Sequence, residues 1–340
     1  MPFAFGPVPA LALALAALLP AAAPLALPTV GPRLPIDEAY PGLRRIHAAP
    51  DVYLVDGFLD ARHCDDLVQQ AAAKGDMAQS PVAYSGWTQD LSDLIELAAK
   101  GPVAWGAIGI AWLQTKDVEG AGTLELVQHI LVNFGGLLAV AVAGIALFTK
   151  SRADGLQAMR TSTSTTVAEV EGGAGEFVRR AARLLGDGGG ADALRDEAAL
   201  FEAPTVIRYE KDQVLRPHYD ANRSADLEDA NRGGQTLATL IVYLNDVAEG
   251  GQTRFGQLRD DEGEDGLTIQ PRRGDALLFF PADARGTFDE RTEHEGRPAV
   301  DEKWIARIWR HARRVPPPFG LAEAELARLG EEGAGEHVRN

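Results

Sequence analysis

His218 and Asp220 end the stretch RYEKDQVLRPHYD and stand two residues apart. In a β-strand, positions i and i+2 point to the same face, so this spacing sets an imidazole and a carboxylate side by side. They are two of the three ligands of a facial triad, the 2-His-1-carboxylate set that holds non-haem Fe(II) and leaves coordination positions open. A bare His-x-Asp pair also arises by chance. Residues farther along the chain give it weight.

His294, in TEHEGRP, offers a second imidazole, and Lys303, in DEKWIARIWRH, adds a cation beyond it. An enzyme that uses iron and 2-oxoglutarate requires both, because the far carboxylate of the cosubstrate needs a positive partner in a dry pocket. Seven phrases stand in order between Asp51 and His311: FLDARHCDDLV, RTSTS, RYEKDQVLRPHYD, TLATLIVYLNDVAEGGQTRF, PRRGDALLFF, FDERTEHEGRP and KWIARIWRH. In these phrases the chain resembles the prolyl 4-hydroxylase branch of the Fe(II)/2-oxoglutarate-dependent dioxygenases.

The resemblance implies an α+β fold, a double-stranded β-helix (jelly roll) core with supporting N-terminal helices. It implies Fe(II) held by His218, Asp220 and His294 as the catalytic centre, with Lys303, Tyr209 and Thr239 binding 2-oxoglutarate. O2 and ascorbate complete the cofactors. The implied reaction is hydroxylation of peptidyl proline at C4, coupled to decarboxylation of 2-oxoglutarate to succinate and CO2. A carboxylate at position 220 argues against the related halogenases, which leave that place open for halide. Arg160 and Ser162, in RTSTS, match a mobile loop that closes over peptide, although the same residues would serve as a cap for the helix expected after them. Strand alternation from Lys303 puts Trp309 and His311 on the cavity face, as further substrate contacts. Asp275, Asp289 and Gly251 match as turn residues and read as structural. One departure concerns the substrate: where many of these enzymes have an arginine before the strand beginning TLATL, this chain has Thr236. Other readings are the same chemistry on another peptide side chain or a small molecule, and a non-catalytic, membrane-tethered jelly roll that holds a peptide.

The elements that must position these residues are set by local pattern. Thr205–Glu210, Gln235–Leu244, Leu267–Gln270, Ala276–Phe280 and Trp304–Trp309 read as strands, short, β-branched or aromatic, and bounded by Gly, Pro and Asp. Val52–Phe58 reads as an entry strand, and Asp60 as the cap of the helix ARHCDDLVQQAAAK. The loops Asn222–Gly234 and Gly256–Gly266 are polar and read as exposed connections.

Composition narrows the partners. A net charge of −16 over 340 residues argues against nucleic acid as a partner, because phosphate binding needs a basic face. Cys64 is the single cysteine, which rules out an intrachain disulfide and reads as a small buried hydrophobe. Residues 1–28 are uncharged, with an Ala/Leu run ended by Pro20 and small residues after it. They read as a signal peptide or targeting leader, which implies the secretory pathway and endoplasmic reticulum, or another organelle. Residues 29–50 read as a linker, 51–90 as the first strand and helix of the catalytic domain, 151–315 as the jelly-roll domain and 316–340 as a polar tail. Between them, 91–150 form an apolar insert with uninterrupted runs at 103–113 and 131–148. They read as a membrane hairpin through residues 103–148 or as a pair of buried helices. A single crossing would part the entry strand from the catalytic strands, so an even number is required.

Overall fold

Thr236–Tyr243 reads TLATLIVY, eight residues all buried. A strand buried on both faces must be covered on both, and it is. Leu240 and Val242 turn to one core and Ile241 and Tyr243 to another. The computed structural model describes residues 29–80 and 91–337, apart from 119, 121, 187–189, 223–231, 260–262 and 264. The expected leader at 1–28 lies outside the described residues.

In chain order the strands are β1 (Leu43–Ala48), β2 (Asp51–Val55), β3 (Ala78–Gln79), β4 (Thr163–Thr166), β5 (Thr205–Tyr209) and β6 (Leu215–His218). Then come β7 (Thr236–Tyr243), β8 (Thr253–Arg259), β9 (Asp265–Ile269), β10 (Ala276–Phe279), β11 (His294–Gly296) and β12 (Lys303–His311). The helices are α1 (Ala61–Lys74), α2 (Leu91–Ala98), α3 (Ala104–Thr115), α4 (Thr123–Met159), α5 (Gly172–Leu185), α6 (Ala191–Ala198) and α7 (Glu323–His337). Eight strands form one sheet in the order β1-β2-β10-β7-β12-β5-β4-β3, and β6-β11-β8-β9 form a second. Every pairing is antiparallel. This is the α+β jelly roll.

The two faces of the large sheet have different partners. Ile207, Tyr209, Ile241, Leu277, Phe279 and Ile305 meet Phe255, Leu258, Leu267 and Ile269 of the small sheet. The opposite face, with Val206, Leu240, Leu278 and Ala306, packs on Leu67 of α1, Phe177 and Leu184 of α5, and Leu326 and Leu329 of α7. Leu240 is completely buried. Leu240→Ala is therefore expected to cost about 2–5 kcal/mol, read as a lower urea midpoint.

Asp60 caps α1 as expected, its carboxylate accepting from the His63 backbone N–H at 2.9 Å, and Cys64 is buried. Several expectations change. The segment read as a linker carries β1, which pairs with β2. RTSTS does not cap a helix: Thr161 and Ser162 lead irregularly into β4 (Thr163–Thr166), which pairs with β5, and α5 begins only at Gly172. There Asp66 accepts from the Gly173 N–H at 2.6 Å, taking the role foreseen for Ser and Thr. The loop read as starting at Gly256 is strand to Arg259. The polar tail contains α7, whose Leu326 and Leu329 are buried.

The insert is helical. A wide turn at Ala99–Val103, holding Pro102, separates α2 from α3, and α3 lies along α4. Trp105, Trp112, Leu131, Val132, Val140 and Leu147 are exposed, so these helices do not pack into the jelly-roll cores. Thr123–Ser151 is, among the described residues, the one helix stretch long and apolar enough to cross a membrane, with mean hydropathy 2.3. The helix does not stop at the expected boundary of 150 but continues to Met159.

Candidate active site

His218 is the last residue of β6, and His294 the first of β11, paired directly across the small sheet. Asp220 lies just past β6, so it reaches the site from the bend after the strand and not from the strand itself. The ligand atoms of His218, Asp220 and His294 all lie within 4.8 Å of one another. His218 Nε2 is 3.5 Å from Asp220 Oδ1, and His294 Nε2 is 3.7 Å from Asp220 Oδ2.

The surroundings decide which imidazole nitrogens are available. His218 Nδ1 lies 3.0 Å from the Arg216 carbonyl and His294 Nδ1 3.1 Å from the Thr292 carbonyl. A carbonyl only accepts, so each Nδ1 donates, and each Nε2 is left on the side of Asp220 as the atom that could reach a metal. Burial first, then the neighbouring His218, pushes His294 down to about 4, which keeps it a neutral donor. Burial opposes the charge on Asp220, yet the two imidazoles hold its carboxyl well below the usual carboxylate range. Thr239 Oγ1 donates to Asp220 Oδ2 at 2.9 Å. Two imidazoles and one oriented carboxylate, converging from one side, fit a divalent iron.

Arg160, Ile207, Tyr209, Leu215, Ile241, Thr253, Lys303, Ile305 and Arg307 line one cavity with the three residues. Lys303 is buried and donates from Nζ to the Gly251 carbonyl at 2.6 Å. Its ammonium lies over the rings of Tyr209 and Tyr243, 5.2 and 5.8 Å from their centroids. Burial alone pushes Lys303 down to about 7, and no carboxylate meets it among the described residues. Tyr209 sits opposite it in register on β5. Lys303 therefore stands on the cavity face.

The other expected residues divide. Arg160 is buried in the cavity wall. Ser162 is not in that wall; its hydroxyl accepts from Arg160 Nε at 3.2 Å and meets Ser80 Oγ at 3.2 Å. Thr239 is turned to Asp220. Trp309 and His311 do not line the cavity. A bulge between Arg310 and His311 breaks the alternation, and His311 engages the Gly234 carbonyl at 2.8 Å and Glu202 at 3.3 Å. Trp309 instead lies under the guanidinium of Arg307, 3.4 Å from its ring centroid. Arg307 was missed. It occupies the same alternating face as Lys303, which was the available signal.

Residues 204–311 match the model of the 2OG-Fe(II) oxygenase superfamily. A probable prolyl 4-hydroxylase 6 of Arabidopsis thaliana is 37% identical over 124 residues, 33% of this chain and 42% of that protein. Prolyl 4-hydroxylase 1 of the same plant is 39% identical over 111 residues, 31% of this chain and 38% of that protein. The chain is similar to the prolyl 4-hydroxylase branch of these oxygenases. It spans about four tenths of the length of such plant prolyl 4-hydroxylases. Among solved structures, a viral collagen prolyl hydroxylase from Paramecium bursaria Chlorella virus-1 aligns at 20% identity, over 76% of this chain and 94% of that one, with a TM-score of 0.35.

Proposed function

We propose that the chain is an Fe(II)- and 2-oxoglutarate-dependent dioxygenase that hydroxylates peptidyl proline at C4, releasing succinate and CO2 from the cosubstrate. One observation carries the reading: two imidazoles and a carboxylate share a cavity with a buried ammonium that has no carboxylate partner among the described residues. The iron, when bound, supplies oxygen activation coupled to decarboxylation. His218, Asp220 and His294 hold it, and Thr239 keeps Asp220 aligned. Lys303 takes the far carboxylate of 2-oxoglutarate, with Tyr209 beside it, while Ile207, Ile241 and Ile305 keep water from that end. Arg160, fixed through Ser162, forms the wall where the peptide enters. The deciding experiment supplies Fe(II), ascorbate and 2-oxoglutarate with a panel of proline-rich peptides and looks by mass spectrometry for a product heavier by one oxygen atom. Succinate release without a modified peptide would keep the enzyme class and remove proline as its substrate.

A second part of the reading concerns location. The exposed apolar faces of α3 and α4 support a hairpin that enters a membrane and returns, and the uncharged leader supports delivery through the secretory pathway to the endoplasmic reticulum. Because β2 and β10 share a sheet, both ends of the insert are bound to one side. Exposed apolar surface costs about 25 cal/mol per Å², so lipid is the natural cover. Replacing residues 91–150 by a short Gly/Ser linker is expected to yield a protein that stays in the aqueous phase of a detergent partition and still decarboxylates 2-oxoglutarate. An insoluble or inactive shortened chain, beside an intact one soluble without detergent, would make the insert part of the core.

A further inference from the structure

We infer that Arg307, with Arg160 near it, forms an anion-binding subsite beside the iron position, and that the peptide substrate carries an acidic side chain next to its target residue. This rests on the oxygenase reading above and adds the chemistry of the substrate.

Arg307 is a half-buried cation that feels Asp220 and Glu202 only at a distance. It lines the cavity, makes no hydrogen bond or ion pair among the described residues, and has a buried Nε with no partner. Its plane is fixed by stacking on Trp309 at 3.4 Å, which leaves the edge of the guanidinium available. A buried N–H donor left without an acceptor is costly, here Nε alone, and the guanidinium's fork of N–H donors suits a carboxylate held by two hydrogen bonds.

The charges around the cavity point the same way. Its cations are Arg160, Lys303 and Arg307, and its carboxylates are Asp220 and Glu295. Glu295 lies 3.4 Å from Arg254, and the nearby Glu202 is held by Arg232 at 2.9 Å and His311 at 3.3 Å. With a divalent iron set against the dianionic cosubstrate and Glu295 engaged by Arg254, the three cations exceed the remaining carboxylate, Asp220, by two charges.

Along β12, four residues cover about 13 Å, so the backbones of Lys303 and Arg307 are set apart along the cavity wall, the ammonium over Tyr209 and Tyr243 and the guanidinium on Trp309.

The test uses the full chain loaded with Fe(II) and 2-oxoglutarate under nitrogen, titrated calorimetrically with one proline-rich peptide. Versions carry Glu, Gln or Lys at each of the two positions on either side of the target proline. At one position Glu is expected to bind about tenfold tighter than Gln, the value of one charge-assisted pair, and Lys weaker than both. Arg307→Gln should erase the preference, and Arg307→Lys should restore part of it, with 2-oxoglutarate affinity unchanged within about twofold in both. Equal or absent binding by all versions, or a Glu preference that survives Arg307→Gln, overturns the inference. So does a tenfold loss of 2-oxoglutarate affinity in Arg307→Gln, which would give the guanidinium to the cosubstrate. Oxygen is then admitted and the peptide weighed. A Glu preference lost with Arg307 but followed by no hydroxylation leaves the subsite standing and rejects the proline reaction.

Discussion

Replacing His218, Asp220 or His294 by alanine is expected to bring succinate release from 2-oxoglutarate down to background, and to lower bound iron measured on the purified protein. Each variant removes one of three donors, and no fourth His, Cys, Asp or Glu joins the cluster among the described residues. Asp220→Ala should be the most severe for iron. It removes the only charge of the set and leaves two imidazoles whose Nε2 atoms no longer converge on a carboxylate. Thr239→Val makes a graded comparison, since it keeps all three ligands and deletes only the hydrogen bond to Asp220. A loss of metal affinity of about 10–100-fold is expected there. Full turnover by any of the three alanine variants would disprove the triad.

Lys303→Ala is expected to raise the 2-oxoglutarate half-saturation by more than a hundredfold with little change in bound iron. Leaving a buried carboxylate unpaired costs about 3–5 kcal/mol. Lys303→Arg keeps the charge but brings a broader, planar head into a space shaped by Tyr209 and Tyr243, so only partial recovery is expected. The same residue predicts a pH dependence. A lysine pushed down to about 7 by burial carries its charge below that pH and loses it above. Both carboxylates of the cosubstrate stay ionised throughout. Affinity should therefore fall about tenfold from pH 6 to pH 8, and Lys303→Ala should bind weakly with no such slope. An unchanged half-saturation in the alanine variant would assign the carboxylate to another cation.

Where the chain's own chemistry sets the pattern, the sequence was legible. Short β-branched or aromatic runs bounded by Gly, Pro and Asp located β5, β7, β9, β10 and β12 to within about two residues, and the order of His218, Asp220, His294 and Lys303 located the cavity. What escaped had ambiguous composition. Thr163–Thr166 suits a cap as well as a strand, and only pairing with β5 decides between them. Leu43–Ala48 holds two arginines and a histidine, typical of an edge strand with one neighbour, and reads as linker. The glycines and glutamates of α7 hide the two leucines it buries. Trp309 and His311 were drawn to the cavity by assuming unbroken alternation. The bulge at Arg310 redirects His311, and Arg307, on the same face as Lys303, lines the cavity instead.

The continuity of α4 fixes a height. Its uncharged stretch ends at Phe148, the helix runs on to Met159, and the very next residue, Arg160, is buried in the cavity wall. Eleven helical residues measure about 17 Å. If the apolar length lies in lipid, the reaction centre stands roughly one small-domain radius above the bilayer, on a strut with no loop to lengthen or shorten it. A target residue anchored in the same membrane would then need only about five extended residues of tether to reach the centre, and one much closer to its own anchor would pass beneath it.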